Sequence, residues 1–161
     1  MYNKLAIFFW LASYFCSSSW LYAETTPPIS GTHLVQIEEG WVRAVPPQLT
    51  LTAAYMQLKN LTDQKLTLVG ASTPIFTKVE MHQTIFEDNM ARMVPVEKLV
   101  IAPQEVVMFK PKGLHFMLID RQQPLTVGDT VTLTLQFEEN KTQTIKLEVK
   151  EDNGKDSDHS H

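Results

Sequence analysis

Four side chains in this sequence make an unusual set: His82, Met93, His115 and Met117. His115 and Met117 alternate with Leu114, Phe116 and Leu118 in the stretch GLHFML. Side chains on a strand repeat every two residues, so the imidazole and the thioether share one face and the apolar three share the other. The face opposite a buried row normally carries Lys, Thr or Glu. In KVEMHQT (78–84), Val79, Met81 and Gln83 share one face, and Glu80, His82 and Thr84 the other. With the core claiming Val79 and Met81, His82 points outward or towards an edge. Met93 lies in the next sulfur-rich element, NMARMVPV (89–96). The four residues thus fall on three strands, all outside the main apolar layer.

Two imidazoles and two thioethers suit one kind of ion. Thioethers are soft and neutral, and imidazole is intermediate, so together they favour Cu(I) over hard ions such as Mg²⁺ or Ca²⁺. Zn²⁺ would prefer Cys, His or carboxylate. Cysteine is not on offer. The single one, Cys16, lies in an N-terminal segment expected to be removed. A thioether cannot pair into a disulfide, which is useful in an oxidising compartment. It also carries no proton near neutral pH, so only the histidines would make binding fall with acid.

The elements that must hold these residues read as strands throughout. The candidates are 34–38, 41–45, 53–60, 65–71, 77–84, 90–96, 105–110, 114–120, 130–137 and 143–149. VTLTLQF and TIKLEVK alternate cleanly, and the last two strands should form a hairpin. Turn signals separate the runs: Pro46-Pro47, Asn60 to Asp63, Glu87-Asp88-Asn89, Pro111 to Gly113, Gly128-Asp129 and Glu139-Asn140. No segment sustains a helical period. Many short strands at regular spacing argue for an all-β protein, an antiparallel Greek-key β-sandwich of immunoglobulin-like type.

Both ends differ from this middle. Residues 1–23 have a short basic n-region with Lys4, an apolar run from Leu5 to Phe15, then small and polar residues. The run is short of the roughly 20 apolar residues that span a bilayer. It reads as a secretory signal peptide cut after Ala23, which places the protein in the periplasm with no membrane insertion after cleavage. Ser13-Tyr14-Phe15 before Cys16 are too bulky for a lipoprotein cleavage site. Residues 24–32 read as a flexible linker, 33–150 as one domain, and 151–161 as a disordered acidic tail. Losing the signal removes Lys4 and no acid, so the mature chain is one unit more acidic than the formal −4 of the whole. No basic patch or Arg/aromatic interleaving points to nucleic acid.

At the level of spacing, the chain resembles the bacterial periplasmic copper chaperones called PCu(A)C. The pattern is His82, ten residues, Met93, 21 residues, then His115-x-Met117. The flanks GWVRAVPP (40–47), AAYMQLKN (53–60), VEMHQT (79–84) and IAPQEVVMFKPKGLHFML (101–118) match too, and the likeness covers about residues 34–149. The resemblance implies a cupredoxin-like sandwich that binds one Cu(I) per chain through His82, Met93, His115 and Met117. It implies delivery of that copper to the CuA centre on subunit II of cytochrome c oxidase, often beside a Sco-type thiol protein. A monomer is expected. Gln104-Glu105 and Pro111-Lys112-Gly113 stand where the family tends to have more glycine, which bears on loop shape and not on ligation.

Other His and Met residues are weaker candidates. Met56 and Met81 read as core fillers. Met90 lies three residues before Met93 and is a candidate spare or transfer ligand. In the tail, His159 and His161 stand beside Asp156 and Asp158. Imidazole with carboxylate suits Cu(II), so a second, weaker Cu(II) site there competes with a merely solvated tail. Trp41 and Arg43 share a strand face, as core packing and a surface ion pair would explain.

Several functions fall away. Blue-copper electron transfer needs a Cys thiolate that the mature chain lacks. No Ser-His-Asp set, nucleophile motif or Gly-rich phosphate loop suggests an enzyme, and a saturated four-ligand site leaves no open position for a substrate. An adhesive sandwich would not need the His/Met quartet. Periplasmic copper storage or detoxification shares the site and differs only in where the metal goes.

Overall fold

The computed structural model describes residues 33–87 and 90–152. Ten strands follow in chain order: β1 (Val35–Arg43), β2 (Thr52–Asn60), β3 (Leu66–Ser72), β4 (Phe76–Glu87), β5 (Met90–Pro95), β6 (Leu99–Ile101), β7 (Val106–Phe109), β8 (Leu114–Arg121), β9 (Thr130–Phe137) and β10 (Thr142–Lys150). No helix occurs among the described residues. Residues 1–23, the whole of the expected linker 24–32, and His159 and His161 lie outside the described residues.

The strands hydrogen-bond in the order β5-β4-β8-β7-β2-β1-β10-β9-β3-β6, and β8 also pairs with β2. β3 and β4 are far apart in that order yet touch, so the ladder folds over on itself around one core. The alternating residues supply that core. Val131, Leu133, Leu135 and Phe137 line one side of β9, and Ile145, Leu147 and Val149 one side of β10, all buried. Phe116 and Leu118 are fully buried on β8, and Phe116 stacks on Phe109 with ring centres 4.7 Å apart. Met56 and Met81 are core residues, as their strand positions predict.

Three details depart from the sequence expectation within this cupredoxin-like, all-β class. First, β1 pairs with β10 in parallel, as does β7 with β8 at Phe109 and Leu114; alternation alone carries no strand direction. Second, β6 was hidden because three residues are too few to display a period. Third, 34–38 and 41–45 are not two strands but one, interrupted by a bulge. Glu38 pairs with Gln57 and Trp41 with Tyr55, so Glu39 and Gly40 together face one residue of β2. Glu39 takes a positive φ of 49° there. Gly40 is needed because a Cβ at that position would lie 2.6 Å from Leu147 Cδ2. The extra residue switches which parity faces the core. Val35 is buried before the bulge and Val42 after it, and Trp41 and Arg43 turn to the face that carries Tyr55.

Candidate metal centre

Strand register brings the chemistry together. His82 on β4 is the cross-strand partner of His115 on β8, and Glu80 is the partner of Met117. Partners share a face, so His82, Glu80, His115 and Met117 stand together. On the other side of β4, Thr84 pairs with Met93 of β5. Met93 therefore belongs to the same face, one step diagonal to His82. On the far side of β8, Ala53 pairs with Met117. Its small side chain leaves room above the thioether. A cavity of about 610 Å³ opens here, lined by Met93, His115, Met117, Ala53, Tyr55 and Phe86 among others.

Met90 is not part of this face. It pairs with Glu87, whereas Met93 pairs with Thr84, so the two methionines project from opposite sides of the β4–β5 hairpin. Three residues is an odd spacing, and a strand's period of two separates them. Closeness in sequence made Met90 a spare-ligand candidate, and parity removes it from this site.

His115 lies off the core face, as expected, but that face is not open to solvent there. This residue is only 4% exposed. The Tyr55 ring packs against it at 6.4 Å between centres, and Trp41 packs behind Tyr55 at 4.8 Å. Arg43 caps the tyrosine, its guanidinium carbon 5.3 Å from the ring centre, and is held there by Asp152 at 2.7 Å. Burial raises the Tyr55 phenol above its ordinary range, with the nearby Arg43 charge opposing. Tyr55 of β2 roofs His115, and the β1 bulge turns Trp41 and Arg43 against that tyrosine. Exposure then increases along the set: His82 and Met117 are half-buried and Met93 is 55% exposed on the edge strand.

Both imidazoles are tethered through one nitrogen. His115 Nδ1 donates to the carbonyl of Gly113 at 2.9 Å. A carbonyl only accepts, so Nδ1 carries the hydrogen and Nε2 keeps its lone pair. His82 Nε2 lies 2.9 Å from Glu80 Oε2, and Lys78 pairs with the same carboxylate. Those two partners, Lys78 first, hold the Glu80 carboxyl below its ordinary range. His82 Nδ1 is buried with no hydrogen-bond partner. A buried, unpaired nitrogen is uncommon in a folded protein and invites a ligand. The ring centres of His82 and His115 are 6.1 Å apart. Two imidazoles sharing one ion through bonds of about 2 Å keep their centres within roughly 6.5 Å, and this separation lies inside that limit. Among the described residues, no three His, Cys, Asp or Glu side chains gather as a metal cluster. The further donors that the register places on this face are the thioethers of Met93 and Met117.

Sequence reasoning did not single out Tyr55, Phe86 or Glu80. Tyr55 sits in a strand that read as ordinary core. Glu80 carried a usable signal, since it shares a face with His82 two residues away.

Fold and face together define a cupredoxin-like domain with a paired His/Met surface. The family model described as "Putative lipoprotein LpqE-like" matches residues 35–149, and the chain belongs to this family of PCu(A)C-type domains. Among curated relatives, the uncharacterized protein RP573 of Rickettsia prowazekii (strain Madrid E) is 30% identical over 131 residues, spanning 79% of this chain and 71% of the relative. Among solved structures, the solution structure of CuI-DR1885 from Deinococcus radiodurans is 33% identical with a TM-score of 0.61, covering 81% of this chain and 87% of that one. The copper-bound PCuAC domain from PmoF2 is 26% identical with a TM-score of 0.62, covering 75% of this chain and 96% of that one.

Proposed function

We propose that this protein is an exported copper chaperone that binds one Cu(I) through His82, Met93, His115 and Met117. The observation that carries the reading is the His82–His115 register pair. Each ring is tethered through one nitrogen, and the register places both rings on a face that also holds two thioethers. That donor set is soft and neutral, as Cu(I) prefers. The likeness to two domains whose structures are described as copper-bound or CuI-bound supports it. The protein carries the metal and does not transform it.

The graded exposure suggests how copper leaves. Met93 is the most exposed donor, and His115 the most buried. An acceptor's ligand can displace the Met93 thioether first, then Met117, then the imidazoles, so that the ion is never bare. We place the acceptor as the CuA centre of cytochrome c oxidase subunit II, with a Sco-type protein acting alongside in the periplasm.

An anaerobic Cu(I) competition titration tests the site. One tight site per chain is expected, and His115→Ala and Met117→Ala should each weaken it severely. Unchanged affinity in both variants would refute the assignment. Transfer to an apo CuA domain can then be followed by separating the two proteins and measuring the copper in each, with the CuA absorption bands read after one-electron oxidation of the recovered acceptor. Copper retained by the donor would instead favour storage or detoxification.

A further inference from the structure

Glu80 and His82 are two apart on β4 and therefore share the metal face. A carboxylate beside a soft site would ordinarily harden it by ligating the ion itself. Here the carboxylate is engaged elsewhere. One oxygen pairs with Lys78, and the other lies 2.9 Å from His82 Nε2. An ionised carboxylate only accepts, so Nε2 must hold the ring hydrogen. The other nitrogen, Nδ1, is then the lone-pair atom, and it is the buried atom without a partner. His115 is tethered the opposite way round, through Nδ1 to Gly113, which leaves Nε2.

We propose that Glu80 is a positioning residue that selects Nδ1 of His82 as the copper ligand, so that the ion is held by unlike nitrogens, Nδ1 from His82 and Nε2 from His115. The inference rests on the copper reading above. It gives the Lys78–Glu80–His82 row a purpose that the four ligands alone do not explain. Lys78 keeps the carboxylate turned towards the ring, and the carboxylate sets the ring's tautomer and its rotation. Partners of this kind typically tune metal affinity by about 10–100-fold without touching the ion.

The test is long-range proton–nitrogen NMR on ¹⁵N-labelled protein, first without copper and then with Cu(I), which is diamagnetic and leaves the ring signals visible. In the metal-free protein His82 should carry its hydrogen on Nε2. Cu(I) should shift the Nδ1 resonance while Nε2 keeps its hydrogen. Glu80→Thr, a residue suited to strands, should lose this tautomer preference and weaken Cu(I) binding about 10–100-fold. Glu80→Gln, whose amide oxygen accepts the same bond, should retain the tautomer and most of the affinity. An unchanged His82 tautomer in Glu80→Thr, or a Cu(I) shift on Nε2, overturns the ligand assignment alone. A correct tautomer with no Cu(I) response would sink the copper reading, and this assignment with it.

Discussion

His82 and His115 face each other across the β4–β8 ladder as register partners, their rings 6.1 Å apart and inclined at 59°. They are 33 positions apart in the chain and come from strands on either side of a long excursion through β5, β6 and β7. The ladder hydrogen bonds, not the side chains, hold the pair in place. The arrangement therefore exists before metal arrives, and a site formed in advance avoids the entropic cost of gathering its ligands.

His115→Ala should cost both copper and stability. The residue is buried and hydrogen-bonded to Gly113, so truncation leaves a void and removes one of the two hydrogen bonds on that carbonyl, which keeps the one from Thr84 N–H. A loss of about 1–3 kcal/mol is expected. Denaturant unfolding of the metal-free protein reads this directly. A melting curve equal to wild type would contradict the burial described here.

Met93→Ala should separate the two effects. The side chain is 55% exposed on an edge strand, so metal-free stability should stay within about 0.5 kcal/mol of wild type. Cu(I) affinity should nonetheless fall. Met90→Ala, on the other side of the hairpin, should leave affinity unchanged. Parallel Cu(I) titrations of the two variants check the pair, and equal losses would refute the strand parity.

Stability at high pH should report on Tyr55. Its folded pKa is raised, first by burial. The folded state thus favours the neutral phenol. The contribution is fully present below tyrosine's ordinary value of about 10 and is lost as pH rises through the higher folded value. Tyr55→Phe should flatten that alkaline decline. The comparison is a set of urea melts from pH 8 to 11, and parallel slopes in both proteins would count against it.

Gly40→Ala should destabilise the domain without touching the ligands. The new Cβ would press on Leu147 Cδ2 at 2.6 Å and Ile37 Cγ2 at 3.1 Å, and Leu147 is fully buried and cannot retreat. Overpacking of this sort costs about 1–3 kcal/mol. Thermal melting shows the loss, while Cu(I) affinity of the folded fraction should match wild type.

Much of the site could be read from residue types and parity. His115 and Met117 had to share a face because Phe116 between them belonged to the core. Met90 and Met93 had to part because their spacing is odd. The bulge at Glu39 and Gly40 was not legible, because an extra residue in one strand shows only against its partner. Its effect reached the site by turning Trp41 and Arg43 onto the Tyr55 side.

The sequence by itself determined the donor chemistry and the faces. Ligand softness is a property of each side chain, residues 33–152 contain no cysteine, and strand alternation follows from covalent geometry between neighbours. Tertiary structure decided which strands lie side by side, and hence that His82 meets His115 and that Met93 stands diagonal to them. It also decided that Tyr55 roofs His115 and that His82 keeps one nitrogen buried without a partner. Burial depends on what covers a residue, and the cover over His115 comes from β2, sixty positions earlier in the chain. No local pattern records that contact, since it exists only once the ladder has closed.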